Sequence, residues 1–159
     1  MYKRQDVTRR EWVIVGDDTG SVHLFGLKQK MWSIKDEAIG HHETRVQKFD
    51  HVDRGYIKHL HAEWITKIRY VDDLNAVVSC SMDGTVKLTD LNAILRGDTN
   101  CVRSTFGGHK CGVHDFAWSD QSRMMVSCGV ERGPLVWNPF SKTAVTTLDA
   151  GHALSLIHI

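Results

Sequence analysis

Apolar positions along the chain fall into short stretches that alternate with polar ones or run briefly unbroken. WITKIRYV (64–71) and GVHDFAWS (112–119) alternate, AVVSCS (76–81) and MMVSCG (124–129) are apolar almost throughout, and TVKLTDL (85–91) and PLVWNP (134–139) alternate again. Period two over five to eight residues marks half-buried strands, and unbroken runs of that length mark buried ones. Between the second and third strand lies SMDGT (81–85), whose Asp-Gly pair favours the left-handed backbone of a tight hairpin turn. With TAVTTL (143–148) as a fourth member, the pattern predicts four-stranded antiparallel sheets and an all-β fold.

The strands belong to a repeat. Residues 59–91 align without a gap on residues 107–139 at a shift of 48, so that His61 meets His109, Tyr70 meets Trp118, and Val78-Ser79-Cys80 meets Val126-Ser127-Cys128. EWVIVGDDTGSVHLFGL (11–27) matches the second half of the unit, with Thr19-Gly20-Ser21-Val22 beneath Asp83-Gly84-Thr85-Val86, and Gly151-His152 opens another unit.

These residues resemble the WD-repeat (WD40) β-propellers, whose repeat of about 40 to 45 residues starts at Gly-His and ends at Trp-Asp. Gly108-His109, Trp118-Ser119, Val126-Ser127 and Trp137-Asn138 carry the likeness in one unit; His61, Ser79, Asp83-Gly84-Thr85-Val86 and Asp90 carry it in the preceding one. The resemblance implies a partial β-propeller, an arc of about two complete blades with a piece on either side. It divides the chain into a partial blade at 1–40, an inserted loop at 41–58, blades at 59–108 and 109–150, and the start of another at 151–153. Closure takes typically four to eight blades, so the arc is expected to be a fragment of a larger propeller. The irregular signatures and the phrase EWVIVGDDTGSVHLF further resemble the large, divergent tandem-propeller WD-repeat proteins linked to cilia and testis. Some of those carry an EF-hand, of which this sequence has no D-x-[DN]-x-[DN]-G loop.

In that family a buried hydrogen-bonded tetrad of His, Ser or Thr, Asp and Trp ties each blade together. Carried over position by position, it comprises His61, Ser79 and Asp83 with Thr89 in the Trp place, then His109, Ser127 and Trp137 with Glu131 in the Asp place. The first unit offers Thr19 and Phe25. His, Ser and Asp also build hydrolase triads, but Ser79 sits mid-strand without the glycines of a nucleophile elbow, so no catalytic residue is assigned.

The interval from Phe25 to Thr89 is 64 residues against 48 from Thr89 to Trp137, and the excess falls in MWSIKDEAIGHHETRVQKFDHVDRGYIKHL (31–60). Its charges and histidines predict an extended loop, or a long last strand followed by a loop, and make it a candidate partner-binding segment. His41, His42, His51, His59 and His61 in or next to it, and Cys101, His109, Cys111 and His114 further on, lack familiar zinc spacing, so neither a metal nor another cofactor is expected. The final residues LSLIHI (154–159) back-translate as CTGTCTCTTATACACATC, which resembles a transposase adapter used for sequencing libraries; they are expected to be an artefact of that origin.

Composition narrows the function. Twenty Lys and Arg against nineteen Asp and Glu leave a formal net charge of +1 without long runs of either sign, so no nucleic acid partner is expected. Nothing resembles a signal peptide or a membrane span. Cys80 and Cys128 fall at one repeat position and no CxxC occurs, which fits reduced thiols and a cytoplasmic setting, to which the resemblance adds a ciliary or cytoskeletal association as an expectation. The resemblance implies a non-catalytic scaffold that binds other proteins or peptide segments; a histone-tail or nucleic-acid reader is the alternative, and a propeller enzyme comes last. In the family, residues just before and at the start of the first strand, and the one preceding the turn Asp, often face the partner. These are Trp64, Thr66 and Met82, then Gly112, His114 and Val130, and Asp18 in the first unit.

Overall fold

A computed structural model describes residues 11–34, 44–130 and 133–149. Eleven strands form three antiparallel sheets, each a simple up-and-down meander among these residues. The first contains β1 (Glu11–Gly16), β2 (Val22–Ile34) and β3 (Thr44–Ile57). The second contains β4 (Ile65–Val71), β5 (Ala76–Ser81), β6 (Thr85–Thr89) and β7 (Val102–Gly107). The third contains β8 (Val113–Ser119), β9 (Met124–Gly129), β10 (Leu135–Asn138) and β11 (Thr143–Thr147). Each four-stranded sheet thus holds the three strands of one repeat unit and the segment before the next Gly-His, the arrangement of propeller blades.

The sheets stack face to face, with β4 beside both β1 and β8. Val22, Leu24 and Ile57 of the first sheet pack with Val77 of the second, while Val86, Leu88 and Phe106 of the second pack with Phe116, Met125 and Trp137 of the third. Burying such a side chain is worth about 1.5–3 kcal/mol, so the blade contacts dominate the stability of the arc. The outer faces lack that cover among the described residues: Val13 and Val15 on the first sheet and Val145 on the third are about half exposed.

Two features depart from a regular repeat. Of the segment assigned by composition to an inserted loop, residues 44–57 form β3, paired with β2 from Val22↔Ile57 out to Ile34↔Thr44 with one register shift. Of the two forms the sequence leaves open here, an extended loop or a long last strand, residues 44–57 take the strand; continuous pairing satisfies the backbone of a charge-rich sequence as fully as that of an apolar one, so polarity alone does not choose between them. Residues 41–43 lie outside the described residues, as do Glu131, Gly151-His152 and 154–159.

The second departure is a short helix, α1 (Leu91–Arg96), in the β6–β7 connection. Asp90 caps it by accepting the Asn92 and Ala93 N–H groups at 2.8 and 3.3 Å. Gly97, left-handed at φ 68°, ends it; its own N–H reaches the Ile94 carbonyl and that of Asp98 reaches Ala93. Ala93 and Ile94 are buried. A Cβ on Gly55 of β3 would stand 2.9 Å from the Ile94 carbonyl oxygen, so the helix seats directly on backbone.

Candidate interaction face

Below the loops, the polar residues of each blade form a chain whose composition changes from blade to blade. In the second blade His61 Nδ1 lies 2.9 Å from Asp83 Oδ2 and its Nε2 lies 2.8 Å from Ser79 Oγ. A carboxylate can only accept, so Nδ1 carries the proton and Nε2 accepts from the Ser79 hydroxyl. Asp83 also accepts from the Ala62 and Thr85 N–H groups and from the Thr85 hydroxyl. Burial depresses the His61 pKa, and the attraction of Asp83 only partly opposes it. Burial pushes the Asp83 carboxyl up, but the hydrogen bonds from Thr85 and Ala62 together with His61 outweigh it and hold the group below its ordinary range. Neutral imidazole beside ionised carboxylate follows.

The third blade keeps the other half of the chain. Trp137 Nε1 donates to Ser127 Oγ at 2.7 Å, and that hydroxyl lies 2.7 Å from His109 Nε2. In the first blade Asp17, two positions before Thr19, supplies the carboxylate. It accepts from the Thr19 and Ser21 N–H groups and from the Thr19 hydroxyl, and meets His23 at 3.0 Å. These bonds, the Ser21 N–H foremost, hold the Asp17 carboxyl far below the usual range. In the first and second blades the carboxylate fixes the turn that follows the strand, and these turns and the segments beside them carry the candidate contact residues.

Trp64, in the linker into β4, is 64% exposed. Its carbonyl accepts the Met82 N–H at 3.0 Å, and in the next blade the Gly112 carbonyl accepts the Val130 N–H at 3.1 Å, so the two pairs sit alike. Met82 also joins the blades: a Cβ on Gly112 would come within 2.6 Å of its Sδ and Cε. The Asp17 carbonyl accepts the Ile65 N–H at 3.1 Å, which sets the turn bearing exposed Asp18 against the residue after Trp64. Val130 and His114 are exposed on the third blade. Trp64, Met82, Val130, His114 and Asp18 therefore all lie on or beside the linked turns.

Thr66 is placed differently from that group. Its hydroxyl lies 2.6 Å from the Val113 carbonyl and 3.2 Å from that of Cys80, within the stack of blades. Beside it the Lys67 ammonium pairs with Asp115 and reaches the Phe116 carbonyl at 3.0 Å. Lys67 and Asp115 occupy the same position in the aligned repeat, and opposite charges at equivalent positions of adjacent units were the available signal for this contact.

Burial drives the Cys80 pKa up to about 11 and raises that of Cys101, so both thiols resist ionisation. Among the described residues, no three His, Cys, Asp or Glu side chains converge as a metal site would require. A sequence-family model for the WD domain, G-beta repeat, matches residues 55–90 and 99–149, more than half of the chain.

Proposed function

The chain belongs to the WD domain, G-beta repeat family, and from that premise we propose that it is a non-catalytic scaffold whose linked turns hold a protein or peptide partner through Trp64 and Met82. The observation that carries this reading is a Trp 64% exposed beside a Met that spans two blades. Large aromatic and polarizable side chains on a rigid support are the usual anchors of an interface, each worth about 2 kcal/mol or more when central.

The neighbouring candidates bear on the class of partner. Asp18 brings one negative charge and His114 one titratable ring, with Val130 apolar and exposed on the third blade. A reader of phosphate backbone or of a strongly basic tail would want charge of one sign concentrated here. The triad-like set supports no enzyme, because Ser79 and His61 are fully buried, with no path for a substrate to the Ser79 hydroxyl. Among the described residues no helix is long and apolar enough to cross a membrane.

Crosslinking of the wild-type chain and Trp64→Ala to a defined partner tests the reading. Loss of capture by Trp64→Ala with an unchanged melting temperature supports it. Equal capture by both proteins rejects this face.

A further inference from the structure

We propose that the outer rim between the first and second blades is a separate peptide-binding groove, selecting an apolar side chain flanked by a carboxylate on one side and an ammonium or guanidinium on the other. The groove encloses about 310 Å³, within the lower range of ligand pockets. It lies between the end of β3 with the linker after it, residues 56–60, and the turn at 97–99 that follows α1. In the third blade the matching β10–β11 connection is a turn over residues 139–142. The groove is thus a product of α1 and no general feature of the repeat.

Its floor is apolar, formed by Ile57, Leu60 and Val102, with the half-exposed Tyr56 ring at the side. Both walls are held in place before any ligand arrives. On one, His59 is in the left-handed region at φ 53°; its N–H donates to Ser21 Oγ at 3.1 Å and its ring lies 3.2 Å from the Thr19 carbonyl. On the other, Gly97 and Asp98 cap α1 through their N–H groups, and Asp98 Oδ1 accepts the Asn100 N–H at 3.0 Å. Such a preformed site spares a ligand the cost of ordering loops.

Charge decides the occupant. Lys58 lines one wall and Asp98 the other, and among the described residues neither has an ion pair. A purely acidic ligand would meet Asp98 and a purely basic one Lys58. An extended segment with an acidic residue, an apolar anchor and a basic residue satisfies both walls while burying its anchor on the floor.

The probe is a fluorescein-labelled hexapeptide amide, Gly-Glu-Leu-Leu-Lys-Gly, titrated with the full chain and read by fluorescence anisotropy. Saturable binding with a Kd below about 1 mM is expected, weakened at least about fivefold by Lys58→Gln and by Asp98→Asn and unchanged by Trp64→Ala. Asp98→Asn keeps an oxygen for the Asn100 N–H, and unchanged melting of both groove variants shows that they fold. Absence of saturation, or full affinity in either groove variant, overturns the proposal. Loss of binding in Trp64→Ala overturns it as well, by moving the peptide to the linked turns; the groove and the turns therefore stand or fall separately.

Discussion

Thr89 and Trp137 occupy the same position in successive blades, but only Trp137 reaches the hydrogen-bonded chain beneath its turn. Its indole N–H donates to Ser127 at 2.7 Å, whereas Thr89 Oγ1 is fully buried with no partner among the described residues. The second blade has lost the indole and retained a polar atom in its place. A buried, unsatisfied hydroxyl costs about 1–3 kcal/mol relative to an apolar group of the same shape. Thr89→Val removes the hydroxyl and preserves the branched outline. It is expected to stabilise the chain by about 1 kcal/mol, read as a higher urea midpoint at constant m; an unchanged or lower midpoint would show that the hydroxyl is satisfied in solution.

The contact between Met82 and Gly112 separates binding from stability. A Cβ at Gly112 would meet the flexible end of Met82, 2.6 Å away, and the Met82 Cα at 3.0 Å. A methionine tip can move at small cost. Gly112→Ala should therefore lower the melting temperature only slightly, by less than about 1 kcal/mol of stability, while displacing Met82 and weakening partner capture. Intact capture would show that Met82 is packing between blades and nothing more.

Two glycines in the left-handed region allow the cost of conformation to be separated from the cost of contact. Gly97 (φ 68°) has nothing within 4 Å of a Cβ position, whereas at Gly20 (φ 75°) a Cβ would lie 2.2 Å from the His61 carbonyl oxygen. Gly97→Ala is expected to cost about 1 kcal/mol, the backbone penalty alone. Gly20→Ala adds a clash with backbone that cannot rotate away, so its cost should exceed that of Gly97→Ala by at least about 1 kcal/mol in chemical denaturation. Equal costs would mean that the turn of the first blade and the linker before β4 are less tightly joined than their geometry indicates.

How far these relationships can be read from sequence depends on where each partner lies. The strands are legible because the gapless alignment of 59–91 on 107–139 repeats the spacing of apolar positions. The exposed Trp64 and Val130 are legible because they border turns. Thr66 is not, since what it binds is a backbone carbonyl of the next blade, and side-chain identity carries no record of a carbonyl. In the first blade the carboxylate shifts from the place of Thr19 to Asp17, so a residue-by-residue transfer from the second unit looks two positions too far. Asp90 illustrates a competing template: aligned with the second half of a Trp-Asp pair, it also stands as helix cap before NAIL with Gly97 at the far end, and the local signal describes α1. Composition leaves β3 open between loop and long strand, because its pairing with β2 is a property of the backbone.

The pH dependence of stability follows from the neutral His61 and ionised Asp83. In the unfolded chain an imidazole takes up a proton as the pH falls through its ordinary value of 6.5, while folded His61, with a lower pKa, resists protonation. Over that interval the unfolded state binds more protons, so stability is full above about pH 6.5 and declines on acidification until His61 itself titrates. Asp83 acts in the same direction at lower pH: its contribution is present above 3.8 and disappears as the pH falls through its depressed folded value. Both windows lie on the acid side. Melting temperatures measured from about pH 7.5 down to about pH 5 should fall, and the fall should be shallower in His61→Asn, which removes the titrating ring at the expense of lower stability throughout. A slope equal to that of the wild type in His61→Asn would assign the acid sensitivity to other groups and leave the second blade's polar chain uninvolved.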